Sequence, residues 1–373
     1  MASFFKRLTL FLFPFAALIA LVNGALIYVG ESMPLALVVM QQQNDEVLYR
    51  PNYGSRDQQF KLLSANARRA EVLAVGSSRV LQMRAGLLTQ KPHLFYNAGA
   101  PAWQLEQVEA LVRGLNDDAL PNVLIIGVDP VWFNGDYVAP PLPAPASDFE
   151  TLFSVNRSVL QDIITGKRDY DWARVFARHD PYSGTLALGT RALIDGHGFR
   201  SDGSEQYGDF LVGRYLDAAT ERDRHLQWMR DGVDMYVYGA ADSLDLAALA
   251  RFEALLDDVR ARGVTVIVFA PPFAPTLYER MVQRGNHAYM DTLHATLRPM
   301  LEQRGFHYFD FSDSRLLNVT DADFFDGWHG SERVYLRLFA RMADALPDVL
   351  GVYTDANILR AIDGAAGDTF RVF

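Results

Sequence analysis

The sequence predicts an α/β fold, with a mostly parallel sheet covered by helices on both faces, behind one N-terminal membrane-spanning helix. Three observations carry this prediction. Short valine-rich apolar runs end in glycine or proline, as buried strands do; amphipathic helical stretches alternate with them; and one long uncharged run follows two cations. The 373 residues are 50% hydrophobic and 21% charged, enough apolar side chain for a core and length for one large domain or two modest ones. The formal net charge of −10, with no basic patch, argues against nucleic acid as a partner. Cysteine is absent, which excludes a disulfide framework, a thiolate metal site and a cysteine nucleophile.

Lys6 and Arg7 precede an apolar run from Leu8 to about Val29 that only Asn23 and Gly24 interrupt. About 20 residues at 1.5 Å rise cross a hydrocarbon core of about 30 Å. No small-x-small cleavage site follows, so residues 1–30 are expected to be an uncleaved anchor. The positive-inside rule keeps Lys6 and Arg7 cytoplasmic and puts the rest of the chain in the periplasm or outside the cell. Residues 31–70 are polar and mixed and are expected to be a juxtamembrane linker, with Gln41–Asp45 and Pro51–Arg56 read as linker or a short helix near the membrane. Globular patterning runs over 71–350, and 351–373 is expected to be a tail. Strands are expected at Val72–Val75, Leu94–Tyr96, Asn122–Val128, Val264–Phe269 and Tyr308–Phe311, with helices at about 104–115, 243–262 and 275–304. Ser147 and Glu150 have capping-box spacing and open another helix. Residues 151–235 lack βα alternation and are expected to be a helical or irregular insertion or lid.

Ligands of parallel sheets bind at the carboxyl ends of the strands. There the sequence places Gly76-Ser77-Ser78-Arg79, Asn97-Ala98-Gly99, and Gly127-Val128-Asp129-Pro130, followed late in the chain by Asp326-Gly327-Trp328-His329. These are parts of a serine acyl-transfer site: a hydroxyl nucleophile, backbone N–H groups for an oxyanion, and an Asp/His pair. Ser78 would be the nucleophile, His329 its base, and Asp326 the group that fixes the imidazole tautomer. Arg79, Asn97 and Trp328 are candidate substrate contacts. Trp103 and Trp132 could line a pocket or pack in the core. A second Asp-x-x-His, Asp291/His294, makes a helix stripe with His287 and is read as solvated surface, so no metal and no cofactor are expected. The remaining histidines are read as structural or surface.

In order and spacing these segments resemble the SGNH, or GDSL-like, hydrolase superfamily, over about 71–130 and 305–345. The resemblance implies a flavodoxin-like three-layer α/β/α sandwich and a Ser78–His329–Asp326 triad, with Ser77 replacing the family's aspartate. It implies an oxyanion hole from Ser78, Gly99 and the position of Asp129. That last residue departs from the family's asparagine, and a carboxylate only accepts hydrogen bonds. Asp129 is therefore turned away, is protonated, or leaves the hole to Ser78 and Gly99. A Gly-Ser-Ser turn behind one anchor is similar to membrane-anchored teichoic-acid D-alanylation and SGNH-like alginate and peptidoglycan O-acetyltransferase proteins. By that resemblance the chain would O-acylate an envelope polysaccharide through an acyl-Ser78 intermediate, beside a polytopic membrane-bound O-acyltransferase. An esterase acting on envelope glycans or lipids and a non-catalytic glycan- or partner-binding adaptor are the alternatives.

Overall fold

A computed structural model describes residues 2–139, 141–142, 144–166, 171–208, 218–231, 241, 243–285 and 287–373. It is a mixed α/β structure. The strands are β1 Val47–Tyr49, β2 Val72–Val75, β3 Phe95–Asn97, β4 Val123–Gly127, β5 Leu186–Leu188, β6 Gly198–Phe199, β7 Glu205–Gln206, β8 Thr265–Ala270 and β9 His307–Asp310. The chain forms two units, Met1–Arg56 with Ala144–Ser201 and Gln206–Asp209, and Asp57–Pro143 with Asp202–Glu205 and Phe210–Phe373.

In the second unit a five-stranded sheet has the order β3-β2-β4-β8-β9, and all four pairings are parallel. Side chains alternate across it, as the two-residue period of a strand requires. Val72, Ala74, Val123, Ile125, Ile267 and Phe269 face one core, which includes Val334, Leu338 and Met342 of helix Glu332–Ala345. Leu73, Val75, Leu124, Ile126, Val266 and Val268 face another, built with helices Leu105–Arg113, Leu246–Ala261 and Ala288–Glu302. Burial on both sides is why these strands read as continuous apolar runs. The helix expected over 275–304 is two, Pro275–Arg284 and Ala288–Glu302, because Gly285 caps the first in the left-handed conformation at φ 74°.

In the first unit, Ala2–Tyr28 is a single helix, and its segment Phe4–Tyr28 is long and apolar enough to cross a membrane. β1 pairs parallel with β5 and antiparallel with β6. Ser147 and Glu150 form the expected reciprocal cap, with the Ser147 N–H on Glu150 Oε2 at 2.9 Å and the Glu150 N–H on Ser147 Oγ at 3.2 Å, opening helix Asp148–Thr165.

The expected boundaries change in three places. Residues 31–70 are not a linker: they carry helix Leu35–Asn44, β1 and helix Asp57–Arg68. Residues 151–235 do not form one insertion, since β5 belongs to the same sheet as β1, whereas helix Ala218–Asp231 belongs to the second unit. Residues 351–373 are not a free tail. Helix Ala356–Ala365 buries Leu359, and the N–H groups of Val372 and Phe373 donate to Glu332 Oε2 at 2.8 and 3.2 Å. Glu332 in turn receives the Arg84 guanidinium at 2.5 Å on its other oxygen. These anchors are long-range polar contacts, and they leave no periodic trace in a sequence.

Candidate active site

Within the second unit's sheet, the first strand in sequence, β2, lies between β3 and β4, so the chain reverses its direction of winding between β2 and β4. The crevice beyond the carboxyl ends of strands at such a reversal is where open α/β sheets bind ligands. The residues after these two strands are Gly76–Arg79 and Val128–Pro130. Gly76 lies so close to its neighbours that a Cβ there would stand 2.8 Å from the Gly127 carbonyl oxygen. Ser77 then caps a short 3₁₀ turn, its Oγ accepting from the Arg79 N–H at 3.1 Å, which sets Ser78 at the start of that turn. The Ser78 N–H has no protein acceptor among the described residues.

The loop after β9 returns to this end of the sheet. A bridge between Phe324 and Gly330 pinches its base, and the Phe325 N–H donates to the His329 carbonyl at 2.8 Å. Gly327 turns the chain at φ 88°. That turn lets Asp326 Oδ1 accept both the Trp328 and His329 N–H groups, at 2.8 and 2.7 Å. Its other oxygen, Oδ2, lies 2.7 Å from His329 Nδ1, and His329 Nε2 lies 2.9 Å from Ser78 Oγ. A carboxylate only accepts, so Nδ1 carries the proton and Nε2 presents a lone pair to the Ser78 hydroxyl. Three residues separated by up to 251 positions thus form one hydrogen-bonded series.

Burial opposes charge on both partners, and their mutual attraction outweighs it. The Asp326 carboxyl is held well below the usual carboxylate range by the His329 ring and N–H. The His329 imidazole is raised above its ordinary value by Asp326. The His–Asp pair keeps about a fifth of its side-chain surface exposed (23% and 21%), open enough for a substrate to reach. A small cleft opens beside Ser78, walled by Pro101, Trp103, Val131 and Trp328.

Other expected site residues do different work. Arg79 is not a substrate contact. It is 1% exposed, with Nη1 on Asp129 Oδ1 at 2.9 Å and Nη2 on the carbonyls of Pro271 and Pro272 at 2.7 and 2.8 Å. Its guanidinium lies between the rings of Phe273 and Trp328, 4.2 and 4.1 Å from their centres. It therefore ties the serine turn to the histidine loop. Asp129 is turned toward this cation and is no oxyanion donor. Asn97 is fully buried; its amide donates to the carbonyls of Val80 and Met83, and its Oδ1 accepts the Gly99 N–H at 2.9 Å. Asn97 therefore shapes the serine turn, and the Gly99 N–H, spent on Asn97, is not available to an oxyanion. Trp328 lines the cleft, as does the half-exposed Trp103, while Trp132 is buried with its indole N–H on the Ala102 carbonyl.

The sequence also missed one neighbour of the site. Helix Ala218–Asp231 passes over the histidine loop, where Arg222 faces Gly327. Three residues further along it, the His225 ring is lowered from its usual range by burial, which prevails over attraction from Asp326. A lone histidine on a polar helix gives no signal of this. Comparison with protein-family models, with curated proteins and with solved structures finds no match to this chain.

Proposed function

We propose that this chain is a membrane-anchored, extracytoplasmic serine acyltransferase of the SGNH-like kind, which O-acylates an envelope polysaccharide through an acyl-Ser78 intermediate. The observation that carries the proposal is the hydrogen-bonded series Ser78–His329–Asp326 beside an open cleft. The order of the second unit's sheet, second-first-third-fourth-fifth in sequence with every pairing parallel, supports a flavodoxin-like three-layer sandwich. Lys6 and Arg7 at the N-terminal end of the apolar helix favour a cytoplasmic N-terminus and a site outside the cytoplasm.

The chemistry follows from the geometry. Ser78 Oγ attacks the acyl carbonyl of a donor ester while its proton passes to His329 Nε2, and Asp326 stabilises the resulting imidazolium. The Ser78 N–H is placed to meet the carbonyl oxygen as it becomes negative. The bond to the donor's alkoxide breaks, and that oxygen takes the proton from His329. A glycan hydroxyl then enters, gives its proton to the same nitrogen, and attacks the acyl-serine; Ser78 leaves and regains its proton. Water in place of the glycan would give an esterase, so transfer depends on what the tryptophan-walled cleft holds. A polytopic membrane-bound O-acyltransferase fits as the supplier of the acyl group.

A serine-directed fluorophosphonate tests the reading on the full chain. Labelling at Ser78 that disappears in His329→Ala is expected, and no labelling of the folded protein would favour the adaptor. Given an acetyl ester and a glycan acceptor, acetylated glycan is expected, whereas free acetate alone would leave an esterase.

A further inference from the structure

We propose that helix Asp148–Thr165 lies in the membrane interface, its exposed apolar stripe dipped into lipid beside the end of the spanning helix. The inference rests on Phe4–Tyr28 crossing a membrane and is independent of the chemistry at Ser78. At 100° per residue this helix has three faces. Val155 and Val159 pack on Leu26 of the spanning helix and form one small core with it. Ser154, Gln161 and Thr165 make a polar, exposed face. Phe149, Phe153, Leu160 and Ile164 make a third face, outside the core clusters formed by the first unit's described residues. They are 77%, 70%, 59% and 75% exposed, although four large apolar side chains in one stripe ordinarily mark an interaction surface.

The occupant follows from the depth at which the helix is fixed. Asn156 Nδ2 donates to Asn23 Oδ1 at 2.7 Å, and Leu26 supplies the apolar contact. Asn23 lies five residues before the last residue of the apolar segment, about 7.5 Å along its axis. Amphipathic interfacial helices settle about 5–10 Å into the headgroup boundary, so the stripe is held where lipid begins. Around the same end of the span, Tyr28 and Trp172 both stack on Phe176, and the Arg178 guanidinium sits 4.7 Å from the Tyr28 ring centre. Exposed aromatic rings with a cation among them are what the interfacial belt of a membrane protein selects. A second protein would also bury the stripe, but the belt beside it is specific to the lipid–water boundary.

The chain has no cysteine, so single cysteines report cleanly. Full-length protein in phosphatidylcholine–phosphatidylglycerol vesicles would carry a nitroxide at Phe149→Cys, Phe153→Cys, Leu160→Cys or Ile164→Cys. Ser154→Cys and Gln161→Cys report the polar face, and Phe11→Cys and Leu18→Cys report the span. Oxygen partitions into hydrocarbon and a charged nickel chelate stays in water. The oxygen-to-nickel accessibility ratio should therefore be high at the span and the stripe, and low at Ser154→Cys and Gln161→Cys. A nickel-accessible stripe with a lipid-exposed span would overturn the inference. A stripe shielded from both reagents would overturn it in favour of a protein partner. A nickel-accessible span would remove the anchor itself, while fluorophosphonate labelling of Ser78 would still report on the proposed chemistry.

Discussion

The second unit gathers a serine, a histidine and an aspartate in two places, and each histidine belongs to an Asp-x-x-His. At the reversal of strand order, His329 uses opposite nitrogens for its two partners, Nε2 toward Ser78 and Nδ1 toward Asp326. Beyond the edge strand β9, His294 Nε2 faces both Ser312 at 3.4 Å and Asp310 at 3.6 Å, and Nδ1 is occupied by the Tyr308 hydroxyl at 2.5 Å. The aspartate of its own motif, Asp291, acts on His294 only as a nearby charge. Burial lowers the proton affinity of both rings. At His329 a carboxylate in direct contact reverses the effect, whereas at His294 the nearest carboxylate is further away and burial prevails. A serine relay needs a proton-fixing carboxylate on one nitrogen and the serine hydroxyl on the other, so residue types and spacing do not suffice. His287 and His294, expected on a solvated stripe, are largely buried: His287 is 7% exposed and the His294 side chain 14%.

Substitution should separate the two clusters, most sharply at the nucleophile. Ser78→Ala and His329→Ala are expected to abolish fluorophosphonate labelling and to cost on the order of 10^6-fold in ester turnover, the loss seen when a serine or its base is removed. Labelling that survives at another serine would break the distinction. Asp326→Asn keeps the shape but loses control of the tautomer, at a cost of about 10^4-fold in turnover. It should also move the acid limb of the labelling profile. In the native protein His329 is raised above 6.5, so labelling falls as pH drops through a midpoint above that value; the variant's midpoint should be lower. An unchanged profile would place the control elsewhere.

Asp129→Asn restores the amide that the family resemblance expects at this position, but it leaves the Arg79 guanidinium buried without its counter-charge. The expected result is a loss of about 3–5 kcal/mol in denaturant unfolding with no gain in turnover. Arg79→Met with Asp129→Leu should recover much of that stability. The smallest effects belong to the second cluster. His294→Ala and Ser312→Ala should leave turnover within about twofold, and His294→Ala should cost about 1–3 kcal/mol by stranding the Tyr308 hydroxyl. A large loss of labelling in either variant would make the two clusters functionally equivalent.

Much of this was legible because it is written in periodicity. Val72–Val75 is a strand at the expected residues, and the other four strands of the sheet lie within a residue or two of expectation, since burial on both faces leaves a continuous apolar run. The apolar helix and the Ser147–Glu150 cap were equally plain, being local. Ser78, His329 and Asp326 could be nominated because each ends or follows a strand on the side where such sheets bind ligands.

Composition and local pattern alone thus determined the α/β alternation, the long apolar N-terminal segment and a short list of polar strand-end residues. Only the folded chain decided which of these meet. It turned Arg79 and Asp129 inward to each other, spent the Gly99 N–H on Asn97, joined β1 to β5 across residues expected to be linker and insertion, and brought His225 over the histidine loop. The reason is physical: strand and helix periods are set by neighbours a few residues away, whereas the partner of a buried charge or N–H is whichever group the packing of distant elements brings within 3 Å.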